Sequence, residues 1–226
     1  MKKILLIYFL SFHAISELTL EITQGTEDPY RVAIIKFSGA DKATTDIQKV
    51  VFDNLLRTGE FTIFNNEDLL SIPQIEEDIV FNDFRILDID YLVMGKVEDD
   101  GLNIAVEYQV FDISKAKKIR TSTVYGIPNK NRQLAHYVSD GIYQEITGIP
   151  GIASTKILYV TEDNNFKLLI SDADGSNEQV LLESTEPIIS PSWSPDSKKV
   201  AYVSFETGIA KVYIQDIASG NREVAV

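Results

Sequence analysis

The sequence predicts an α/β domain followed by an incomplete β-propeller. Three observations carry this. From Glu17 to about Gly148, strand-like and helix-like stretches alternate, as in an α/β or α+β sandwich of roughly 130 residues. After Pro150 the helical period disappears, and short strands separated by turns take over. Within that second half KILYVT at 156–161 resembles KVAYVS at 199–204, and KLLISDADG at 167–175 resembles KVYIQDIASG at 211–220. Offsets of about 43 and 44 residues, made of strands and hairpins, match the period of a propeller blade. The competing explanation is a chance likeness of two β hairpins.

The chain has 226 residues, 44% of them hydrophobic and 24% charged, which suits a globular protein with a buried core. Its formal charge of -13 repels phosphate backbones and anionic lipid, so general nucleic-acid or membrane-surface binding is a poor expectation. The absence of cysteine excludes disulfides, thiolate metal sites and cysteine nucleophiles.

The chain opens MKKILLIYFLSFHAIS. Lys2 and Lys3 precede an apolar run from Ile4 to Ile15 that is too short to span a bilayer, and Ala14 and Ser16 are small residues suited to a cleavage site. We read residues 1–16 as a secretory signal cut between Ser16 and Glu17, in preference to a buried N-terminal segment. Export loses two lysines and no acid, so it deepens the acidic balance.

The strands and helices follow in order. ELTLEIT places Leu18, Leu20 and Ile22 on one face and Glu17, Thr19, Glu21 and Thr23 on the other, the period of a strand that needs a partner. YRVAIIKF, residues 30–37, is apolar and β-branched enough for a central strand. Thr45 and Gln48 have capping-box spacing ahead of Ile47, Val50, Val51 and Leu55, with Gly59 as the stop, so a helix is expected from Thr45.

A short strand is expected at Phe61–Phe64, then a looser region around Pro73, a short helix near Asn82–Asp88 and a strand at Tyr91–Val97. EDDG at 98–101 reads as a tight hairpin turn leading into a strand over Leu102–Asp112. Lys117–Tyr125 supplies another strand. Leu134, Val138, Ile142 and Ile146 recur every four residues, predicting an amphipathic helix over Lys130–Ile146 that Gly148 and Pro150 end. Between the repeat copies lies PSWSPDSKKVAYVS, 191–204. Pro195 and Asp196 set a turn, and Trp193 offers an indole that can wedge between neighbouring sheets.

These residues resemble the TolB family, periplasmic components of the Tol-Pal system. Four stretches carry the likeness: ELTLEITQG, YRVAIIKF, EITGIPG at 145–151, and ISPSWSPDSKKVAYVSFETG at 189–208. The resemblance implies an N-terminal α/β domain similar to an anticodon-binding fold, followed by a six-bladed propeller whose repeat signature falls on Trp193, Ser194, Pro195 and Asp196. Ser197 stands where the repeat usually has glycine.

The likeness also implies a non-enzymatic scaffold that links TolA to the peptidoglycan-associated lipoprotein Pal, with other outer-membrane proteins as further partners. Its roles would be envelope integrity and outer-membrane constriction at division. The family's TolA-binding segment maps onto Glu17, Leu18, Thr19, Leu20, Glu21, Ile22 and Thr23, which suit strand addition to a partner's sheet edge. The same pattern also suits an ordinary edge strand of the N-terminal domain. Glu21 and Thr23 depart from the family's usual text.

The domains are expected at 1–16, 17–150 and 151–226. Roughly 75 residues of repeat amount to about 1.7 blades, whereas a closed ring needs at least four, so the propeller is expected to be truncated within a blade at Val226.

Chemistry is sparse. DADGSN, 172–177, has the look of a calcium loop but lacks the distal bidentate glutamate, and reads as a solvated hairpin turn. His136 and Asp140 lie four apart on a helix, too few donors for a metal, and His136 reads as a surface or satisfied helix histidine. The acidic clusters Glu76–Asp78 and Glu98–Asp100 read as solvated loops. No nucleophile elbow, zinc-protease motif or phosphate loop occurs. No enzyme activity, metal, cofactor or membrane span of the mature chain is therefore expected. The alternatives are the propeller of an envelope prolyl-oligopeptidase-like hydrolase and a glycan-binding propeller.

Overall fold

The computed structural model describes residues 28–39 and 41–225, without the side chains of 41–46 and 128. The expected signal segment, its cleavage point at Ser16 and Glu17, and the strand Glu17–Thr23 lie outside the described residues. A six-stranded sheet is built first. Strands β1 (Tyr30–Ile34), β2 (Ser38–Gly39), β3 (Phe61–Phe64), β4 (Tyr91–Asp99), β5 (Ile104–Asp112) and β6 (Lys117–Gly126) run in the order β3-β1-β4-β5-β6, with β2 also on β4. β1 pairs in parallel with β3 and β4, whereas β4, β5 and β6 form an antiparallel meander.

Burial explains the strand sequences. β1 and β4 lie between two apolar layers. Val32, Ile34, Val93 and Val97 face helices α1 (Asp41–Arg57) and α3 (Asn131–Thr147), while Ala33, Leu92 and Met94 face the short helix α2 (Phe81–Ile86) and its flanking loops. Both faces buried means a nearly continuous apolar run. β5 instead alternates: Ile104, Val106, Tyr108 and Val110 join the layer under the helices, and Glu107 and Gln109 point away.

Three expectations need correction. Helix α1 begins at Asp41, so Thr45 lies inside it and is no cap; Lys42 and Ala43 are strong helix formers, and an aspartate suits the first turn. β1 stops at Ile34 because the chain leaves the ladder and returns as β2; only the Ile35 N–H still reaches Val93 O, at 3.0 Å. The β4–β5 connection is a longer loop than a two-residue turn. The Asp100 side chain accepts the N–H groups of Leu102 and Asn103 at 2.8 and 2.6 Å, and only Gly101 is left-handed, at φ 86°. Leu102 therefore sits 78% exposed in the loop, not in β5.

Helix α3 ends as its sequence requires, on Gly148 at φ 75° with its N–H returned to Gln144 O. Two sheets follow, the first beginning eight residues later at Lys156. β7 (Lys156–Glu162), β8 (Phe166–Asp172) and β9 (Gln179–Ser184) form one antiparallel meander. β10 (Ile188–Trp193), β11 (Lys199–Ser204), β12 (Lys211–Asp216) and β13 (Arg222–Val224) form the next. The repeated texts occupy equivalent hairpins, β7–β8 and β11–β12.

Leu168 and Ile170 of the first sheet share one core with Ile188, Val200, Tyr202 and Tyr213 of the second, and Trp193 packs half-buried against it. Tyr202 Oη donates to Gln215 Oε1 at 2.9 Å, and Gln215 Nε2 donates across to Leu181 O in β9 at 3.1 Å.

In the turn after β10, Ser197 adopts φ 57°. Left-handed backbone costs a residue bearing a Cβ about 1–2 kcal/mol, offset in part by the greater freedom glycine has when unfolded. Ser197→Gly is therefore expected to raise stability by up to about 1 kcal/mol in urea titration; equal or lower stability would show the turn to be unstrained.

Candidate functional site: the junction between the domains

The buried polar residues Asn54, His136, Ser139 and Asp172 gather where α3 meets the sheet of β7, β8 and β9. α3 is buried on two sides. Leu134, Val138, Ile142 and Ile146 face the six-stranded sheet, while Arg132, His136 and Asp140, spaced four apart, form a second stripe. The connection from Gly148 to Thr155 is short, so the following strands fold back on that stripe. Asp140 holds the connection in place: its carboxylate accepts the backbone N–H groups of Ala153 and Ser154 at 2.6 and 3.0 Å. Gly151 permits this approach, because a Cβ there would lie 2.5 Å from the Asp140 Cα.

The DADGSN hairpin supplies the other half. Its turn bonds to itself, with Gly175 N to Asp172 O at 2.9 Å, and Gly175 and Asn177 are exposed as expected, but its carboxylates are not solvated. Asp172 and Asp174 are 8% and 1% exposed at the side chain. Arg132 grips Asp174 through Nη2, and Lys156 donates to Asp172 at 2.5 Å. Asp172 also accepts from Asn177 Nδ2, and Asp174 from the Ser176 N–H at 2.9 Å. Burial pushes both carboxyls up, yet these hydrogen bonds and cations outweigh it and hold both below the ordinary aspartate value.

His136 is buried too, at 2% exposure. The surface reading is therefore overturned, and so is full satisfaction. Nδ1 meets Asn54 Nδ2 at 2.9 Å, while Nε2 has no hydrogen-bond partner and points between Asp172 and Asp174, at 3.6 and 3.7 Å. Asn54 also donates to Ser139 Oγ at 2.9 Å, and its Oδ1 accepts from Arg57 at 3.3 Å. With an amide donor at Nδ1, the neutral ring carries its proton on Nε2. Burial lowers the His136 pKa, and the two aspartates only partly restore it.

His136, Asp172 and Asp174 form the one group among the described residues with three metal-type donors close together. Charge argues against a cation there. The two carboxylates are already balanced by Arg132 and Lys156, and the imidazole offers a proton where a metal needs a lone pair. Beside the cluster lies a mostly apolar cavity of about 330 Å³, lined by Asn54, Arg57, Tyr143, Gly151 and Ala173 among others.

The remaining predicted positions are more scattered. Trp193 ends β10, and Ser194 Oγ donates to Asp196 Oδ1 at 2.7 Å in the turn that contains Pro195. Glu76 is joined to Lys118 at 2.5 Å and Glu98 to Lys96 at 2.6 Å on the surface. Sequence reasoning weighed His136 with Asp140 and DADGSN separately. The signal that links them is the polar stripe on α3 followed by a connection too short to lead away from it.

Fold and junction together define a class: an α/β domain clasped to the opening sheets of a β-propeller, with no described helix long and apolar enough to cross a membrane. The sequence model of the TolB amino-terminal domain matches residues 18–119, and that of the TolB beta propeller domain matches 143–226. The chain belongs to the TolB family.

It is 40% identical over 215 residues to the Tol-Pal system protein TolB of Alcanivorax borkumensis, covering 92% of this chain and 49% of that one. To the protein of the same name from Alkalilimnicola ehrlichii it is 37% identical over 212 residues, with coverages of 90% and 50%. The crystal structure of TolB from Acinetobacter baumannii superposes with a TM-score of 0.82 at 34% identity, over 91% of this chain and 51% of that one. The chain thus spans about half the length of the curated relatives it matches.

Proposed function

We propose that the protein is a periplasmic interaction scaffold of the Tol-Pal system that links TolA to Pal and serves envelope integrity and outer-membrane constriction. The observation that carries this reading is the match of both TolB family domains, in order, along the chain. In this reading residues 1–16 are a signal cleaved between Ser16 and Glu17. Residues 17–150 form the α/β domain, of anticodon-binding type, and 151–226 form the first 1.7 blades or so of a larger propeller. Trp193, Ser194, Pro195 and Asp196 are its blade signature, and other outer-membrane proteins are further partners.

Glu17, Leu18, Thr19, Leu20, Glu21, Ile22 and Thr23 are the TolA-binding strand, with backbone hydrogen bonds for affinity and Leu18, Leu20 and Ile22 for register. Deleting Glu17–Thr23 is expected to abolish binding to the TolA C-terminal domain in calorimetric titration while leaving thermal unfolding unchanged. Retained affinity in the deletion would refute the assignment.

A further inference from the structure

On the face of the six-stranded sheet that points away from α1 and α3, a layer of loops and α2 packs over Leu92, Met94 and Phe111 and stops there. Beyond that edge the side chains of β4, β5 and β6 are polar and have no described element over them. We propose that this uncovered half of the face binds a neutral oligosaccharide.

The strand register sets out the surface. Met94, Gln109 and Thr121 lie side by side across the three strands at the edge of the covering layer. Lys96, Glu107 and Thr123 form the next row, and Glu98, Ala105 and Tyr125 the last. Rows two residues apart are separated by about 7 Å and neighbouring strands by about 4.8 Å, so the rows make a platform of about 14 by 10 Å. Where it meets the covering layer, Gln74, Ile75 and Glu77 join it in lining a groove of about 440 Å³.

The chemistry of the platform selects the ligand. Lys96 Nζ meets Glu98 Oε1 at 2.6 Å, and Gln109 Nε2 donates to Glu107 Oε1 at 3.0 Å. Each pair keeps capacity to spare: further ammonium hydrogens on Lys96, the second oxygen of Glu107, the amide oxygen of Gln109. Donors and acceptors side by side on one face match the vicinal hydroxyls of a sugar, each of which both donates and accepts. Tyr125 supplies the apolar contact. Its ring is 77% exposed, and its cross-strand neighbour Ala105 is too small to cover it, so the ring is open to the C–H face of a pyranose.

Other ligands fit this surface less well. The main chain of β5 is paired on both sides, so an extended peptide cannot add to it as a strand. Glu77, Glu98 and Glu107 repel phosphates, and Lys96 is already paired. These carboxylates do not converge on a cation either, since the one such group among the described residues is that at His136. The proposal goes beyond the Tol-Pal reading and does not rest on it.

Titration of the nitrogen-15-labelled full chain with cellotetraose, chitotetraose and maltotetraose tests it. At least one of these sugars is expected to give saturable amide shifts over 94–98, 105–109 and 121–125, with none in the sheets from β7 onward. Tyr125→Ala should weaken that binding about fivefold and Tyr125→Phe hardly at all, because stacking needs the ring and not the hydroxyl. Glu107→Ala should weaken it about threefold through the lost hydrogen bond. Tyr125 lies at the surface, so thermal unfolding of Tyr125→Ala should match the parent and exclude misfolding as the cause.

The absence of a saturable shift with all three sugars, shifts centred on β7–β13, or undiminished binding in Tyr125→Ala would overturn the proposal. So would a response of the same amides to deca-lysine in place of the sugars, which would make the surface an electrostatic docking face for a basic peptide.

Discussion

Arg132→Met is expected to destabilise the protein by about 3 kcal/mol, the lower end of the cost of leaving a buried charge without its partner. Asp174 is 1% exposed at the side chain, whereas Arg132 is 37% exposed and partly hydrated, which places the loss at that lower end. After the substitution Asp174 retains the Ser176 N–H and the more distant His136 ring. The Ser176 bond satisfies one carboxylate oxygen, and neither neighbour cancels the charge. The double variant Arg132→Met with Asp174→Asn should recover more than half of the loss, because an amide leaves no charge to neutralise. Urea unfolding of the two variants checks this; equal stabilities would mean that Arg132 acts through packing instead.

Tyr202→Ala carries the other large effect, about 3–5 kcal/mol for deleting a buried aromatic side chain. Tyr202 is 1% exposed, stacks on Tyr213 at 5.8 Å, and sits in the core shared by the two propeller sheets. Tyr202→Phe separates the hydroxyl from the ring. It should cost about 1–2 kcal/mol, because it leaves the buried Gln215 Oε1 without its donor and loosens the bond from Gln215 to Leu181. If the phenylalanine variant lost as much as the alanine one, the hydroxyl rather than the ring would join the sheets.

Much of this architecture was legible in the sequence because its signals are local. Helix α3 has a four-residue apolar period, a left-handed glycine at its end and a proline beyond, and the observed helix differs by about one residue at each end. The β3 strand was read to the residue. The early start of α1 is a local signal passed over, whereas the other misreadings come from a side chain or a fold-level contact overriding a local pattern. Asp100 wraps the β4–β5 loop around its own carboxylate, and nothing in EDDG distinguishes that from a tight turn.

His136 and DADGSN lie 36 or more residues apart. Each alone is an ordinary helix residue or an ordinary turn, and they acquire chemistry only when the chain doubles back. Charge count could not separate a buried aspartate from a solvated one either. The partners that bury Asp172 and Asp174, Lys156 and Arg132, come from a neighbouring strand and from a different domain.

The way Asp140 holds Ala153 and Ser154 has a mechanical consequence. Tension applied between the two domains does not pass along the covalent connection alone. It enters through α3 and is shared between the Asp140 carboxylate and the Arg132–Asp174 pair. These attachments carry load in parallel, so the segment between Thr147 and Ala153 stays slack while they hold. A pull from one domain to the other is therefore carried by side-chain bonds as well as by the covalent connection.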